Sequence, residues 1–218
     1  MRIQGIIFDL DGVICFTDEY HYQAWKTIAD KENIIFNREI NNLLRGVSRK
    51  KSLEIILKNS TKEYSEKEKE ALCNEKNEIY KSLLENMTPS DVSIEVRYTL
   101  KKLKQKGIKI AIGSSSKNTM RILNKIELID EFDAIADGTM VLHSKPNPEV
   151  FLLAASKLGI EPKSCMVVED AKSGIDAAFV GGFIPVAISD AIYNPLAKYR
   201  INFIDSLLDL LKEVDKNE

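Results

Sequence analysis

The chain has 218 residues, of which 44% are hydrophobic and 29% are charged, and its formal net charge is −2. This composition is that of an ordinary globular protein, and it gives no reason to expect a nucleic-acid or membrane partner. Cys15, Cys73 and Cys165 lack the spacing of a zinc site or a redox pair, so we expect free thiols in a reducing cytoplasm. With two aspartates by position 11, the N-terminus does not resemble a signal peptide.

The first predicted element is a buried strand within residues 3–13 (IQGIIFDLDGV). Its apolar run, Ile6 to Phe8, ends at Asp9, Leu10, Asp11 and Gly12. While a strand continues, residues i and i+2 point to the same side, so Asp9 and Asp11 can face one site. Ligands of open parallel sheets bind beyond the carboxyl ends of the strands. The stretch therefore predicts two acids at an active-site edge, with an ordinary strand and Asp-Gly turn as the alternative.

Residues 17–87 contain no convincing strand pattern. Tyr20, Ala24 and Ile28 recur at helical spacing behind the acidic pair Asp18 and Glu19, which favours a helix N-terminus. Further apolar clusters predict several short helices, and the charged stretch 59–70 predicts a solvated turn leading into a helix. We interpret residues 17–87 as a small helical domain inserted after the first strand, with residues 1–16 and 88–218 forming the main domain.

From residue 88 onward, helix and strand patterns alternate. A break at 88–91 starts a helix that carries Val92, Val96, Leu100 and Leu103, and a second helix, from Lys117, carries Met120, Leu123 and Ile126. Strands are predicted at 108–112, 132–136, 165–168 and 183–187, and further helices around 151–158, at 172–180 and in the tail. Such alternation predicts an α/β fold whose parallel sheet is covered by helices on both faces.

Polar groups follow three of these strands, and all strand ends of a parallel sheet share one edge. The groups are Asp9 with Asp11, Ser114 with Ser115 and Ser116, and Glu169 with Asp170; the loop carrying Ser144, Lys145 and Pro146 lies between the last two. Taken singly, the serines could cap a helix, the lysine could be solvated, and the acid pair could favour a helix start. Together they can perform phosphoryl transfer, with a carboxylate nucleophile, a carboxylate-bound Mg²⁺, phosphate-binding hydroxyls and a neutralising lysine.

The motif FDLDGV, the serines, Lys145 and the Glu169-Asp170 pair, in this order over nearly the whole chain, resemble the haloacid dehalogenase superfamily. The resemblance implies a Rossmann-like parallel-sheet core with an inserted helical cap domain. TDEYHYQAW (17–25), GVSR (46–49), SSSKN (114–118) and SKP (144–146) are similar to its sugar-phosphate mutases. These isomerases interconvert β-glucose 1-phosphate and glucose 6-phosphate through the 1,6-bisphosphate. A Mg²⁺-dependent phosphatase of small sugar phosphates is the alternative, and a non-enzymatic binding module is disfavoured because no member of the catalytic set is missing.

The resemblance also implies a role for each site residue. Asp9 would be the nucleophile and Asp11 the general acid and base, while Asp9, the Asp11 carbonyl, Glu169 and Asp170 would hold Mg²⁺. Ser114, the Ser115 N–H and Lys145 would bind the transferring phosphate, and Ser116, Lys117, Asn118 and, from the cap, Arg49 would bind the other. Thr17, His21 and Lys76 would position the substrate or the closed cap, and Trp25, Leu44 and Val47 would shape the sugar pocket. Gly46 and Ser48, beside Arg49, are also expected to bind the substrate or its phosphate.

Arg49 decides between the two enzyme classes. A simple phosphatase needs one phosphate site, whereas a mutase must release the bisphosphate, turn it over and bind either phosphate in a second site. A planar, bidentate cation is suited to that second site, although a surface charge is the alternative reading for a lone arginine. The expected partners are small-molecule sugar phosphates, and we expect a cytoplasmic monomer.

Overall fold

A computed structural model describes residues 3–216 of the chain; residues 1, 2, 217 and 218, which the predicted main domain includes, lie outside the described part. Its centre is a six-stranded sheet in the order β3-β2-β1-β4-β5-β6. The strands are β1 Gly5–Phe8, β2 Lys109–Gly113, β3 Ala134–Ala136, β4 Cys165–Glu169, β5 Ile184–Ala187 and β6 Tyr199–Arg200. Every neighbouring pair is parallel, so the predicted α/β class is confirmed.

Strand β1 lies between β2 and β4, with Ile7 opposite both Ala111 and Val167. Successive side chains point to opposite faces of the sheet, which builds two hydrophobic layers. Phe8 belongs to the layer under α5 (Ile94–Gln105), α6 (Thr119–Lys125) and α9 (Ser206–Lys216). Ile7 belongs to the layer under α7 (Glu149–Leu158) and α8 (Lys172–Val180). Both faces are therefore covered, and the polar strand ends are left at one edge.

Residues 17–87 are helical, as predicted, and this helical segment forms α1 (Asp18–Lys31), α2 (Arg38–Asn42), α3 (Arg49–Leu57) and α4 (Glu66–Leu84). Trp25, Ile28 and Leu53 belong to a separate hydrophobic cluster built within these helices. Tyr80 and Leu84, at the end of α4, instead pack into the layer of the sheet that contains Phe8. The helical segment thus has its own core and a second apolar contact with the sheet.

Several predicted boundaries differ from the structure. Helix α4 has 19 residues rather than being short, because Ser65 and Glu68 form a capping box that starts it inside the charged stretch. The segment Pro89–Asp91 is a 3₁₀ turn, and the next helix begins only after Ser93, whose hydroxyl accepts from the Val96 N–H at 3.3 Å.

The helix predicted from Lys117 begins two residues later, at Thr119. Met120 is consequently exposed, and Ile122 and Leu123 form the buried face. The two-residue strand β6 was not predicted, because it is too short to show a period. Among residues 3–216, no helix is long and apolar enough to cross a membrane.

Candidate active site

A cavity of about 780 Å³ lies between the carboxyl ends of β1, β2 and β4 and the helical segment. The predicted site residues that line it are Asp9, Asp11, His21, Trp25, Leu44, Gly46, Val47, Ser48, Arg49, Lys76, Ser114, Ser115, Ser116, Lys117, Asn118, Lys145 and Asp170. Thr17 and Glu169 lie behind these lining residues. The Thr17 hydroxyl donates to Asp11, and Glu169 accepts from Lys145. The structure therefore brings together residues that are as far apart in the chain as Asp9 and Asp170.

Lys145 joins two acids at the base of the cavity. Its Nζ donates to Asp9 Oδ1 at 2.5 Å and to Glu169 Oε1 at 2.6 Å, and the side chain is almost fully buried. Glu169 Oε2 accepts from the Ala171 N–H at 2.8 Å. Burial alone would lower the pKa of Lys145, but Asp9 and Glu169 outweigh it and raise that pKa. The lysine is therefore charged, and it holds Asp9 in a defined orientation.

Asp11, the second aspartate of the motif, has a raised pKa. Burial, and then the charge of Asp9, raise the pKa of Asp11 to about 7, although the hydrogen bond from the Thr17 hydroxyl opposes the shift. Gly12, at φ +91°, then turns the chain away; a Cβ there would lie 2.1 Å from an Asp170 oxygen. A carboxyl group that titrates near neutral pH can both donate and accept a proton.

The acidic end of the cavity has fewer cations than carboxyl groups. Four carboxyl groups, on Asp9, Asp11, Glu169 and Asp170, share two cations, Lys145 and Arg45. Burial, and next the charge of Glu169, raise the pKa of Asp170 to about 8, and burial also raises that of Glu169. A divalent cation bound by carboxylate oxygens would supply the missing charge, so the donor set fits Mg²⁺.

The predicted metal ligands are not, however, assembled into a ready-made set. In the part of the chain that the structure describes, no three His, Cys, Asp or Glu side chains are grouped to hold a metal ion. The reason is that Asp9 and Glu169 turn an oxygen towards Lys145, while Asp170 turns one towards Arg45. A cation at this site would have to share these oxygens with the two basic side chains.

Arg45 was missed by the sequence reasoning. It lies in the loop between α2 and α3 and donates to Asp170 and, at 2.6 Å, to Asp190 Oδ2. Asp18 Oδ2 is 3.6 Å away. These acids outweigh the effect of burial and raise the pKa of Arg45. Arg45 thus ties the helical segment to the sheet; its position beside the GVSR motif was the one available signal.

The next residue, Gly46, lies close against Ala171 and Ser173 at the start of α8. It has φ +71°, and a Cβ there would lie 2.3 Å from Ser173 Oγ and 3.1 Å from Ala171 Cβ. The loop therefore rests directly on the start of α8, where any side chain larger than hydrogen would collide with it.

The loop after β2 is folded by its own serines. The Ser116 N–H donates to Ser114 Oγ at 3.1 Å, and the Asn118 N–H donates to Ser116 Oγ at 3.2 Å. Ser115 Oγ is buried, and the protein offers it no hydrogen-bond partner among the described residues. A buried hydroxyl without a partner in a cavity wall is available to a polar ligand such as phosphate.

Lys76, which is buried, and His21, which is half-buried, form a pair on the helical side of the cavity. Lys76 Nζ lies 2.8 Å from His21 Nδ1, and the imidazole stacks on Tyr80 with ring centroids 4.1 Å apart. Burial, followed by the neighbouring cations, lowers the pKa of both side chains. A neutral imidazole can accept from Lys76, so the pair holds the lysine at the cavity surface.

Arg49 lines the same cavity but takes no part in the ion pairs of Asp9, Glu169 and Asp170. Its Nη2 donates to Asn77 Oδ1 at 2.6 Å, and the same oxygen accepts from Asn118 Nδ2 at 3.0 Å. Burial lowers the pKa of Arg49, and between residues 3 and 216 no carboxylate forms an ion pair with it. Asn77 was also missed, since one asparagine in a charged helix carries no pattern of its own.

Comparisons with known proteins agree with this geometry. A family model described as haloacid dehalogenase-like hydrolase matches residues 3–182. A β-phosphoglucomutase of Bacillus subtilis (strain 168) is 42% identical over 188 residues, which cover 85% of this chain and 83% of that protein. A phosphorylated carbohydrates phosphatase of Thermotoga maritima is 29% identical over 183 residues, covering 83% of this chain and 82% of that protein. The crystal structure of a β-phosphoglucomutase from Clostridium difficile superposes with a TM-score of 0.90 and 35% identity, covering 98% of this chain and 99% of that one.

Proposed function

Since the chain belongs to the haloacid dehalogenase-like hydrolase family, we propose that it is a sugar-phosphate mutase that interconverts β-glucose 1-phosphate and glucose 6-phosphate. One observation carries the choice of a mutase over a phosphatase. From it we infer two phosphate-binding ends: the acid cluster around Lys145, and Arg49, which among residues 3–216 contacts the uncharged Asn77 and forms no ion pair with a carboxylate. A substrate with two phosphates occupies both ends, whereas a phosphatase needs only the first.

The proposed reaction begins at Asp9. One of its carboxylate oxygens attacks a phosphorus of β-glucose 1,6-bisphosphate, the bond from phosphorus to the sugar oxygen breaks, and Asp11 donates a proton to that oxygen. The C6 hydroxyl of a newly bound β-glucose 1-phosphate then attacks the aspartyl-phosphate, the bond from phosphorus to Asp9 breaks, and Asp11 takes up the hydroxyl proton. The bisphosphate formed in this way is released, turned over and bound again for the next transfer. Lys145 offsets the charge on the transferring phosphoryl oxygens.

The second phosphate is held while the first reacts. We assign this task to Ser116, Lys117 and Asn118 from the sheet and to Arg49 from the helical segment. Trp25, Leu44 and Val47 line the space between the two ends, where the sugar would lie. Binding at the far end fixes the reacting oxygen near Asp9, which converts binding energy into orientation.

We further propose that residues 17–87 form a cap domain over a core of residues 1–16 and 88–218. The contact of Gly46 with the start of α8 and the ion pairs of Arg45 support closure of this cap on the core. A closed cap excludes water, so the aspartyl-phosphate is transferred to a sugar hydroxyl and not hydrolysed.

Gly46→Ala should weaken cap closure and lower kcat/KM for mutase turnover at least about tenfold, because misplacement of a substrate by about 1 Å is costly. Gly107→Ala is the matched control: Gly107 has φ +72°, but nothing lies within 4 Å of a Cβ there. Both variants carry backbone strain of about 1 kcal/mol, so a thermal melt should show similar losses. Equal kcat/KM values for the two variants would contradict the role of the Gly46 approach.

The cofactor in this proposal is Mg²⁺, held by Asp9, the Asp11 carbonyl, Glu169 and Asp170. When bound it supplies positive charge at the transferring phosphate. Its binding requires ionised carboxylates, and Asp170, whose pKa is raised from 3.8 to about 8, must lose a proton. The contribution of Asp170 to folding is most favourable below pH 4 and is lost as the pH rises through 8, unless a cation replaces the proton.

The increase in Tm caused by Mg²⁺ should therefore grow between pH 5.5 and pH 8 and reach roughly 5–10 °C at saturation. The difference in Tm with and without Mg²⁺ is measured, and not Tm alone, because the lowered pKa values of His21 and Lys76 also make Tm depend on pH. That dependence is the same with and without the metal, so it cancels in the difference. Asp170→Asn should remove most of it. Asp190→Asn, which loses a contact to the same Arg45, should keep it; an increase independent of pH would refute the proposed ligands.

The decisive assay supplies β-glucose 1-phosphate, catalytic β-glucose 1,6-bisphosphate and Mg²⁺, and follows glucose 6-phosphate and free phosphate separately. A mutase forms glucose 6-phosphate in large excess, whereas free phosphate as the main product would establish the phosphatase alternative. Arg49→Ala should lower mutase kcat/KM about 10²-fold and leave hydrolysis of a small aryl phosphate nearly unchanged. Arg38→Ala, at an exposed arginine paired with Glu19, serves as the control.

A further inference from the structure

Asn77 stands behind the end of the cavity that carries Arg49. It belongs to α4, while Arg49 is the first residue of α3 and Asn118 directly precedes α6. One atom, Asn77 Oδ1, accepts from Arg49 Nη2 at 2.6 Å and from Asn118 Nδ2 at 3.0 Å. Arg49 and Asn118 both line the cavity. The amide oxygen therefore joins a cap residue to a core residue from the side away from the ligand space.

Because Asn77 is uncharged, it holds Arg49 without cancelling the charge of the guanidinium. Arg45, four residues before Arg49, is neutralised by Asp170 and Asp190, whereas the partner of Arg49 is an uncharged amide. A carboxylate in the place of Asn77 would hold Arg49 equally well but would cancel its charge. The amide orients the guanidinium and leaves the charge to attract an anion.

Asn118 depends on the same contact. Its side chain makes no capping hydrogen bond to α6, although its position before a helix is one where asparagine commonly caps. Its Nδ2 is instead directed to Asn77. Without Asn77, neither the guanidinium nor the amide would have this shared partner to fix its rotamer, and both would lose rotational order before a phosphate binds.

We infer that Asn77 is a positioning residue for the second phosphate: it fixes Arg49 of the cap and Asn118 of the core in one donor array while leaving the array positively charged. The inference deepens the proposed function and rests on it, because only a substrate with two phosphates uses this end of the cavity. It also makes occupation of the array a cap–core contact, so that bisphosphate binding and cap closure favour each other.

The test measures binding of β-glucose 1,6-bisphosphate to the non-reacting Asp9→Asn protein by titration calorimetry. Adding Asn77→Ala should weaken binding about tenfold, the value of a hydrogen bond to a charged group. Asn77→Asp, which keeps the accepting oxygen and the shape, should weaken it further, because its charge neutralises Arg49. Asn124→Ala, at an exposed asparagine of α6, should leave the dissociation constant unchanged.

A double-mutant cycle separates positioning from general structure. In the Arg49→Ala background, Asn77→Ala should weaken binding by less than about twofold, since its main partner is gone. Circular dichroism and a thermal melt of Asn77→Ala, compared with those of Asn124→Ala, show whether the fold is retained. Should that variant fail to fold, Asn77→Asp carries the test alone.

The two hypotheses fail differently. If the Asp9→Asn protein binds the bisphosphate but the Asn77 variants bind it equally well, the positioning role is wrong and the proposed function stands. If the two substitutions add fully in the cycle, Asn77 does not act through Arg49. If the Asp9→Asn protein itself shows no bisphosphate binding, the proposed function is what fails.

Discussion

Asp9→Asn is expected to abolish transfer of a phosphoryl group from β-glucose 1,6-bisphosphate to the protein and to lower turnover by about 10⁴-fold or more. An amide is too weak a nucleophile to attack phosphorus. The substitution also replaces the carboxylate oxygen that Lys145 contacts at 2.5 Å by a neutral group. Intact-protein mass spectrometry after brief exposure to the bisphosphate and Mg²⁺ would detect the phosphoenzyme directly.

The matched control is Asp30→Asn, at an exposed aspartate of α1 that pairs with Lys26. It removes an acid of the same kind without touching the cavity, so the phosphoenzyme should form as in the unaltered protein. Asparagine and aspartate have nearly the same size, and a thermal melt should confirm that both variants fold. A phosphorylated Asp9→Asn protein would show that another residue is the nucleophile.

Lys145→Met is expected to lower the free energy of unfolding by about 3–5 kcal/mol. Methionine has about the length of lysine but leaves Asp9 and Glu169 buried without their shared partner. Urea unfolding monitored by the single tryptophan, Trp25, and by circular dichroism measures the loss. Lys101→Met, at an exposed lysine of α5, should change the stability by less than about 0.5 kcal/mol.

A compensating substitution tests the cause of that loss. In Lys145→Met/Glu169→Gln, one of the two unpaired charges is removed, so part of the stability should return. Mutase turnover should stay about 10³-fold or more below that of the unaltered protein, because the charge near the transferring phosphate is still missing. A double variant less stable than Lys145→Met would show that the lost packing of the lysine, and not the unpaired acids, causes the loss.

Much of the fold was predictable because its signals are local. The apolar run before Asp9 predicts β1, and the runs before Ser114 and Glu169 predict β2 and β4. In a parallel sheet these three strands must end at the same edge, and they do. The helical insertion was also predicted, whereas β6 and the start of α6 were not, because a two-residue strand and a serine-bonded loop show no period.

The partners within the site were less predictable, because they are set by contacts across the chain. Arg45 and Arg49 are the same residue type in one loop region, four residues apart. One meets Asp170, 125 residues away, and is neutralised; the other meets Asn77 and stays available to an anion. The GVSR motif singles out Arg49 for a binding role, but no sequence pattern predicts the partner of either arginine.

The amino-acid sequence by itself determined strands β1 to β5, their parallel arrangement and the polar groups at their ends, since periodicity and turn residues act over a few positions. Only the tertiary structure decided which cation pairs with which acid, that the pKa of Asp11 is raised to about 7, and that Asn77 joins Arg49 to Asn118. Those properties depend on burial and on distances between residues remote in the chain, and the chain acquires both only when it folds.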